Sequence, residues 1–228
     1  MISIIVPAYN EEKRIKDMLD LYTNYFFPRY PDSEFLVVCD GNDGTAAIVQ
    51  NMAQERRIVI MEYGNRLGKG GAIMEGFRKA RGNTIAFVDA DESVSPRDLE
   101  KIIYELKTED CAIGSRRIQG SNITVRQPLK RVISSKVFNT LVNLLFNLDI
   151  RDTQCGAKAF RKEVITKVLP SMRLNGFEFD VELLWRLKSM GCRIKEVPIQ
   201  WQHSEYSRFS LKNAPSMFMN LLKIRFEK

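Results

Sequence analysis

Two carboxylates stand one residue apart in Asp89-Ala90-Asp91, at the end of the apolar run Ile85-Ala86-Phe87-Val88. Paired acids repel unless something positive lies between them. A hard divalent cation that keeps waters and substrate phosphates as further oxygen ligands suits such a pair. Alternate residues of an extended chain face opposite sides, so both acids meet one ion only if the chain turns there or one acts through water. The plain alternative is a solvated turn with helix-capping acids, and the apolar strand directly before the pair shifts the weight toward function. A second stretch, "GNRLGKGGA" from Gly64, sets glycines before an expected helix start and adds Arg66 and Lys69, a combination suited to an anion. It is no P-loop, because Gly70 follows Lys69 and the spacing from Gly64 is one short. Asp40 closes another apolar run, where an acid can hydrogen-bond a base or ribose. The loop "PAYNEE" lacks G-x-G-x-x-G, which argues against NAD or FAD. Arg116, Arg117 and Arg208 are candidate phosphate clamps. One histidine, His203, and no G-x-S-x-G leave no nucleophile constellation.

The elements that must position these residues follow from apolar runs and breakers. Continuous apolar runs predict buried parallel strands over 2–6, 35–39, 58–63 and 84–88. Helices are expected over 11–25, with Asn10 as N-cap, and over 45–54, 72–80 and 97–107, the last capped by Ser95-Pro96. Four alternations of strand and helix predict a doubly wound, mostly parallel sheet with helices on both faces. Ligands bind beyond the carboxyl ends of the strands in such sheets. The polar, Gly-rich loops 7–10, 40–45, 64–71 and 89–93 all fall at those ends, which predicts one composite site. Further on, helices are expected over 133–148, 162–169 and from "GFEFD" to Met190, with a late strand over 192–201. Asn139, Asn143 and Asn147 recur every four residues as one polar stripe on the 133–148 helix. The chain ends in an amphipathic basic helix, "SMFMNLLKIRFEK".

The 228 residues, 44% hydrophobic, suffice for one sizeable core, so a single α/β domain over 1–228 is expected. The net charge of +7 suits an anionic partner. Scattered basic residues without regular aromatic interleaving argue against nucleic acid. Four well-separated cysteines, with no CxxC, fit a reducing cytoplasmic setting. No apolar stretch reaches the ~18 residues of a membrane span, and none reads as a signal segment.

Taken in order, these segments resemble the family-2 glycosyltransferases of GT-A fold. The opening "SIIVPAYNEEKRI" is similar to that family's start, and "NRLGKGGAIMEGFRKARGNTIAFVDAD" to its central block. "VVCDGNDGT" resembles its "VVDDGSxDGT", one residue shorter and with Cys39 at a usual acid. "GSR", "DTQCGAKAF", "FEFDVELLWR" and "VPIQW" resemble the branch of dolichyl-phosphate β-glucosyltransferases and dolichyl-phosphate mannose synthases, and "DTQCG" favours the glucosyltransferase side. The likeness covers about 2–210.

The resemblance implies a nucleotide-sugar half over 1–110, an acceptor half over 111–212 and the C-terminal helix over 213–228. Pro7, Tyr9 and Glu11 would line the nucleotide pocket, with Asp40 on the base and Lys69 and Ala90 near the nucleotide. Asp89 and Asp91 would hold Mg²⁺ or Mn²⁺ on the diphosphate, with His203 a further candidate ligand. Arg116 would face sugar or acceptor phosphate. Gln154, Glu178 and Asp180 would border sugar and acceptor, Asp180 and Asp91 counting with Arg116 as catalytic. Ser207 and Arg208 match a "SK" pair in a basic loop that closes over phosphate. The implied reaction is inverting, metal-dependent transfer of glucose or mannose from a UDP- or GDP-sugar to a polyprenyl or dolichyl phosphate. A phosphate acceptor is largely dianionic at neutral pH and needs little general base. A hydroxyl acceptor on a glycan or protein would need a carboxylate such as Asp152 or Asp180. A sugar-nucleotide pyrophosphorylase would need a Gly- and Arg-rich first loop, and a non-catalytic nucleotide-sugar binding module is the remaining alternative. A lipid acceptor gives helices 133–148 and 215–228 a use, resting peripherally on the cytoplasmic membrane face. Core packing or a homo-oligomer face is the competing use.

Overall fold

The computed structural model describes residues 1–54, 57–123, 129–202 and 214–226. The first half runs β1 (Ile2–Ala8), α1 (Ile15–Arg29), β2 (Glu34–Cys39), α2 (Thr45–Ala53), β3 (Ile58–Glu62), α3 (Gly68–Lys79), β4 (Thr84–Val88) and α4 (Pro96–Glu105). The second half runs β5 (Cys111–Ser115), β6 (Asn122–Ile123), α5 (Leu129–Phe146), β7 (Ala157–Arg161), α6 (Lys162–Val168), α7 (Phe179–Ser189), β8 (Ile194–Pro198), β9 (Gln200–Trp201) and α8 (Ala214–Phe226). Seven strands form one sheet in the order β3-β2-β1-β4-β7-β5-β8, and β6 pairs with β9 beside it. β3, β2, β1 and β4 are mutually parallel, as is β5 with β8, while β7 runs antiparallel to both β4 and β5.

Alternation along the buried strands divides two cores. Ile4, Val6, Phe35, Val37, Ala86 and Val88 face α1, α2 and α4. Ile5, Leu36, Val38, Ile85 and Phe87 face α3, α5, α6 and α7 on the other side. The mostly parallel sheet with helices on both faces is therefore as expected. Order reverses between β1 and β4, because the chain builds outward through β2 and β3 and then returns to the other side of β1. That switch point opens a crevice at the carboxyl ends of both strands.

Element bounds depart from expectation where a distant residue decides them. Asn10 is not an N-cap: its backbone is left-handed at φ 55°, and its Oδ1 accepts the Asn42 N–H at 2.9 Å. The first helix accordingly starts at Ile15, after the Glu11 carbonyl accepts the Arg14 and Ile15 N–H groups. α3 starts at Gly68, four residues before the expected 72, so the glycines form its first turn. The cap comes from another loop, since Asp40 Oδ2 accepts the Leu67 and Gly68 N–H groups at 2.8 and 3.1 Å. Ser95 does cap α4, its Oγ accepting the Asp98 N–H at 3.1 Å. The 133–148 helix begins at Leu129 and ends at Phe146. β5 and β7 were not expected; each is five residues long, and Gly114 and Ser115 in "CAIGS" and Lys158 and Arg161 in "AKAFR" break the continuous apolar run that marks the other buried strands.

Candidate active site

A cleft of about 450 Å³ opens at the switch point. Pro7, Tyr9 and Glu11 line it from the end of β1, Asp40 from β2, Lys69 from α3, and Asp89, Ala90 and Asp91 from β4. Glu178, at the start of α7, and Ser216 and Met217, on α8, complete the opposite wall. Arg66 lines the cleft too, so ten of the residues singled out in the sequence are brought together. Asp180, Arg116 and Gln154 do not line this cleft; Asp180 lies behind Lys69, and Arg116 stands just past the end of β5, paired with Asp152. His203, Ser207 and Arg208 lie outside the described residues.

β4 ends at Val88, residues 90–91 form a turn, and Glu92 adopts φ 55°. This turn is what allows Asp89 and Asp91 to line one cleft rather than opposite faces. The Asp91 Oδ1 accepts the Ser93 N–H at 3.0 Å. Asp89 is held by two neighbours, Gly156 and Lys69. Its N–H donates to the Gly156 carbonyl at 2.9 Å. Its carboxylate lies so close over Gly156 that a Cβ there would sit 2.0 Å from Oδ2. Lys69 Nζ lies 2.9 Å from Asp89 Oδ1 and 3.1 Å from Oδ2. Enclosure in the cleft raises the Asp89 pKa; Lys69 opposes the rise and Asp91 adds to it. For Lys69 burial works against the charge, but Asp89 and Asp180 outweigh it and the pKa moves up.

Behind Lys69 stands Asp180, whose Oδ2 is 3.8 Å from Nζ. Its Oδ1 accepts a 2.6 Å hydrogen bond from Lys158 Nζ. No sequence signal pointed to Lys158, because a lysine within a buried strand has no local signature. Gly156 was visible only as part of "DTQCG".

Arg116 makes a bidentate pair with Asp152, Nε to Oδ2 and Nη2 to Oδ1 both at 2.7 Å, and its N–H also donates to Oδ2 at 3.0 Å. Its guanidinium lies 5.2 Å from the Trp201 ring centre. Burial alone would raise the Asp152 pKa, but Arg116 outweighs it and the net shift is downward. Arg117 differs. Its Nη2 donates to Ser135 Oγ at 2.6 Å and its Nη1 to the Arg151 carbonyl, with no carboxylate pair among the described residues. Burial lowers its pKa, Asp152 opposes this and Arg116 adds to it.

The oxygen donors of Asp89 and Asp91 suit Mg²⁺ or Mn²⁺. Among the described residues no three His, Cys, Asp or Glu converge on one point. The chain would therefore supply two carboxylates and leave other positions to phosphate oxygens and water, the usual pattern for magnesium. The Gly156 cradle fixes one of those carboxylates, which the ion would share with Lys69, while Asp91 carries no such ammonium among the described residues. The residues fit such an ion.

Comparison with known proteins gives a consistent picture. The family model for glycosyl transferase family 2 matches residues 3–169. Glycosyltransferase AglD of Haloferax volcanii is 33% identical over 207 residues, which is 88% of this chain and 33% of AglD, so the chain spans about a third of that relative's length. Dolichyl-phosphate beta-glucosyltransferase ALG5C of Trichomonas vaginalis is 34% identical over 236 residues, 97% of this chain and 70% of that protein. Polyprenol monophosphomannose synthase of Mycolicibacterium smegmatis is 33% identical over 211 residues, 89% and 77% of the two chains. Among solved structures, glucosyl-3-phosphoglycerate synthase from Mycobacterium tuberculosis in complex with Mn²⁺ and UDP-glucose superposes with a TM-score of 0.72 at 18% identity, covering 99% of this chain and 78% of that one. That likeness is one of fold.

Proposed function

The chain belongs to glycosyl transferase family 2 and is a glycosyltransferase of GT-A fold, and from that premise we propose that it transfers a hexose from a UDP- or GDP-sugar to a polyprenyl or dolichyl phosphate with inversion. The observation that carries the donor side is the convergence of Asp40, Lys69, Asp89 and Asp91 on one cleft at the sheet's switch point. The names of the relatives, a dolichyl-phosphate glucosyltransferase and a polyprenol monophosphomannose synthase, support the acceptor class.

In this reading Tyr9 and Arg66, whose guanidinium lies 4.2 Å from the Tyr9 ring centre, present a flat face to the base. Asp40 already spends Oδ2 on the α3 N-terminus, so it offers Oδ1 to the nucleotide while orienting the turn that carries Lys69. Asp89 and Asp91 would hold Mg²⁺ or Mn²⁺, which when bound neutralises charge on the departing diphosphate. Lys69 adds a second positive charge beside that diphosphate. Asp152 is held by Arg116 and Asp180 by Lys158, so neither is poised as a general base. That favours a phosphate acceptor, which needs none, over a hydroxyl one. Arg117, with no carboxylate partner among the described residues, replaces Arg116 as our candidate for the acceptor phosphate, and Arg116 becomes the group that orders the neighbouring loop.

No helix among the described residues is long and apolar enough to cross a membrane. α5 and α8 nevertheless leave Val137, Leu141, Leu144, Met219 and Phe226 exposed, beside the exposed basic residues Lys136, Lys223 and Arg225. A membrane surface carrying the lipid acceptor is the partner this pattern supports.

The test is a thermal-shift panel of UDP- and GDP-sugars with Mn²⁺ or Mg²⁺, followed by transfer to dolichyl phosphate. A metal-dependent rise in melting temperature with one donor, and its sugar appearing on the lipid, are expected. Binding of a sugar nucleotide without transfer to any lipid phosphate would sink the acceptor assignment.

A further inference from the structure

Behind the cleft lies the ion pair that holds Asp180, and its effect on Lys69 is not used in the reading above. Lys158 is the second residue of β7, opposite Phe87 on β4, and its side chain is fully buried. Its ammonium has three neighbours: Asp180 Oδ1 at 2.6 Å, the Cys155 carbonyl at 2.6 Å and the Phe87 ring, whose centre is 5.3 Å away. Phe87 itself stacks within the cluster of Phe77, Phe160 and Phe179. A buried ion pair in such surroundings is poor stabilisation, since an apolar pair of similar volume does as well or better. What the pair does provide is a fixed orientation for Asp180.

The consequence reaches the cleft through Lys69. Two carboxylates compete for that ammonium: Asp89 at 2.9 Å and Asp180 at 3.8 Å. The nearer contact goes to Asp89 because the other oxygen of Asp180 is already taken by Lys158. Asp89, Lys69, Asp180 and Lys158 thus form a line of alternating charges that runs from the cleft into the core.

We propose that Lys158 is a positioning residue for the transfer reaction: it anchors Asp180, and Asp180 so anchored leaves Lys69 on Asp89 at the mouth of the cleft. This rests on the transferase reading for its kinetic meaning but not for its geometry. With Lys158 neutral, Asp180 has Lys69 as its remaining cation among the described residues. Lys69 is then drawn inward and away from the diphosphate.

Crystal structures of the wild-type chain and Lys158→Gln decide the geometry. The expected result is Lys69 Nζ within hydrogen-bond distance of Asp180 and separated from Asp89; Lys69 unmoved on Asp89 overturns the proposal. Should Lys158→Gln fail to fold, Lys158→Met and Lys158→Arg serve in its place, with Lys69 displaced in the first and retained in the second. Initial rates with the donor that wild type uses add the functional half. Lys158→Gln is expected to lower kcat ten- to a hundredfold while KM for the donor changes less than threefold. In an Asp180→Asn background the same change is expected to cost no further activity, whereas an equal loss in both backgrounds would make Lys158 a packing residue and overturn the proposal. Absence of turnover of any sugar nucleotide by wild type would instead sink the transferase reading, and the crystal structures would still decide on Lys158.

Discussion

Asp89 shows how little of a site residue's character resides in the residue. Its carboxylate is set by a glycine sixty-seven positions later in the chain, a lysine on α3 and an aspartate two residues on. The glycine is the most exacting partner, because a methyl group at 156 would have to occupy the space of Asp89 Oδ2 and Cγ. Gly156→Ala should therefore push the carboxylate off Lys69 without emptying any part of the core. The expected outcome is a loss of at least tenfold in kcat/KM, equivalent to about 1.4 kcal/mol, with little change in melting temperature. Initial rates beside a thermal melt measure both. Undiminished activity would mean that the exact place of Asp89 is unimportant.

At the scale of elements, the asparagine stripe of α5 finds a purpose that the helical repeat alone did not state. Asn139 Nδ2 donates to the carbonyls of Ile150 and Arg151, and its Oδ1 accepts from the Thr153 N–H and Oγ1. Asn143 exchanges hydrogen bonds with the Ile150 backbone in both directions. Asn147 lies just past the helix, in left-handed backbone at φ 51°. The stripe thus ties the loop 149–153 to α5, and that loop carries Asp152 to Arg116. Asn139→Ala leaves several buried polar groups unpaired, and a loss of about 2–3 kcal/mol is expected from such groups. Chemical denaturation should show it. If the loop orders the acceptor side, KM for the lipid phosphate should rise more than KM for the donor.

At the scale of the molecule, the exposed apolar residues of α5 and α8 have to be explained together. The two helices pack on one another, and Arg225 Nε donates to the Leu145 carbonyl at 3.0 Å. α8 also reaches the cleft through Met217, and Asn220 Nδ2 donates to Glu178 Oε1 at 2.8 Å. In the function proposed above, a bilayer bearing the acceptor would meet these helices beside the cleft. Wild type is expected to sediment with vesicles containing phosphatidylserine, less so at high salt. Leu144→Glu with Phe226→Glu should reduce the bound fraction at least threefold. Equal binding by both chains would assign the apolar residues to another partner.

Much of this molecule could be read before folding is considered. Strands β1 to β4, the helices between them and the four polar loops at the strand ends follow from local periodicity, which depends only on near neighbours. The acids Asp89 and Asp91 and the likeness to family 2 were equally plain. Tertiary structure alone decided the rest. It inserted β7 antiparallel between β4 and β5, capped α3 with Asp40 and locked Arg116 to Asp152. It also set Lys158 behind Asp180 and Lys69. Each of these depends on which distant residues the sheet order brings within a few ångströms. Electrostatic and hydrogen-bond partners are chosen by distance in space, and a chain's local pattern carries no record of that.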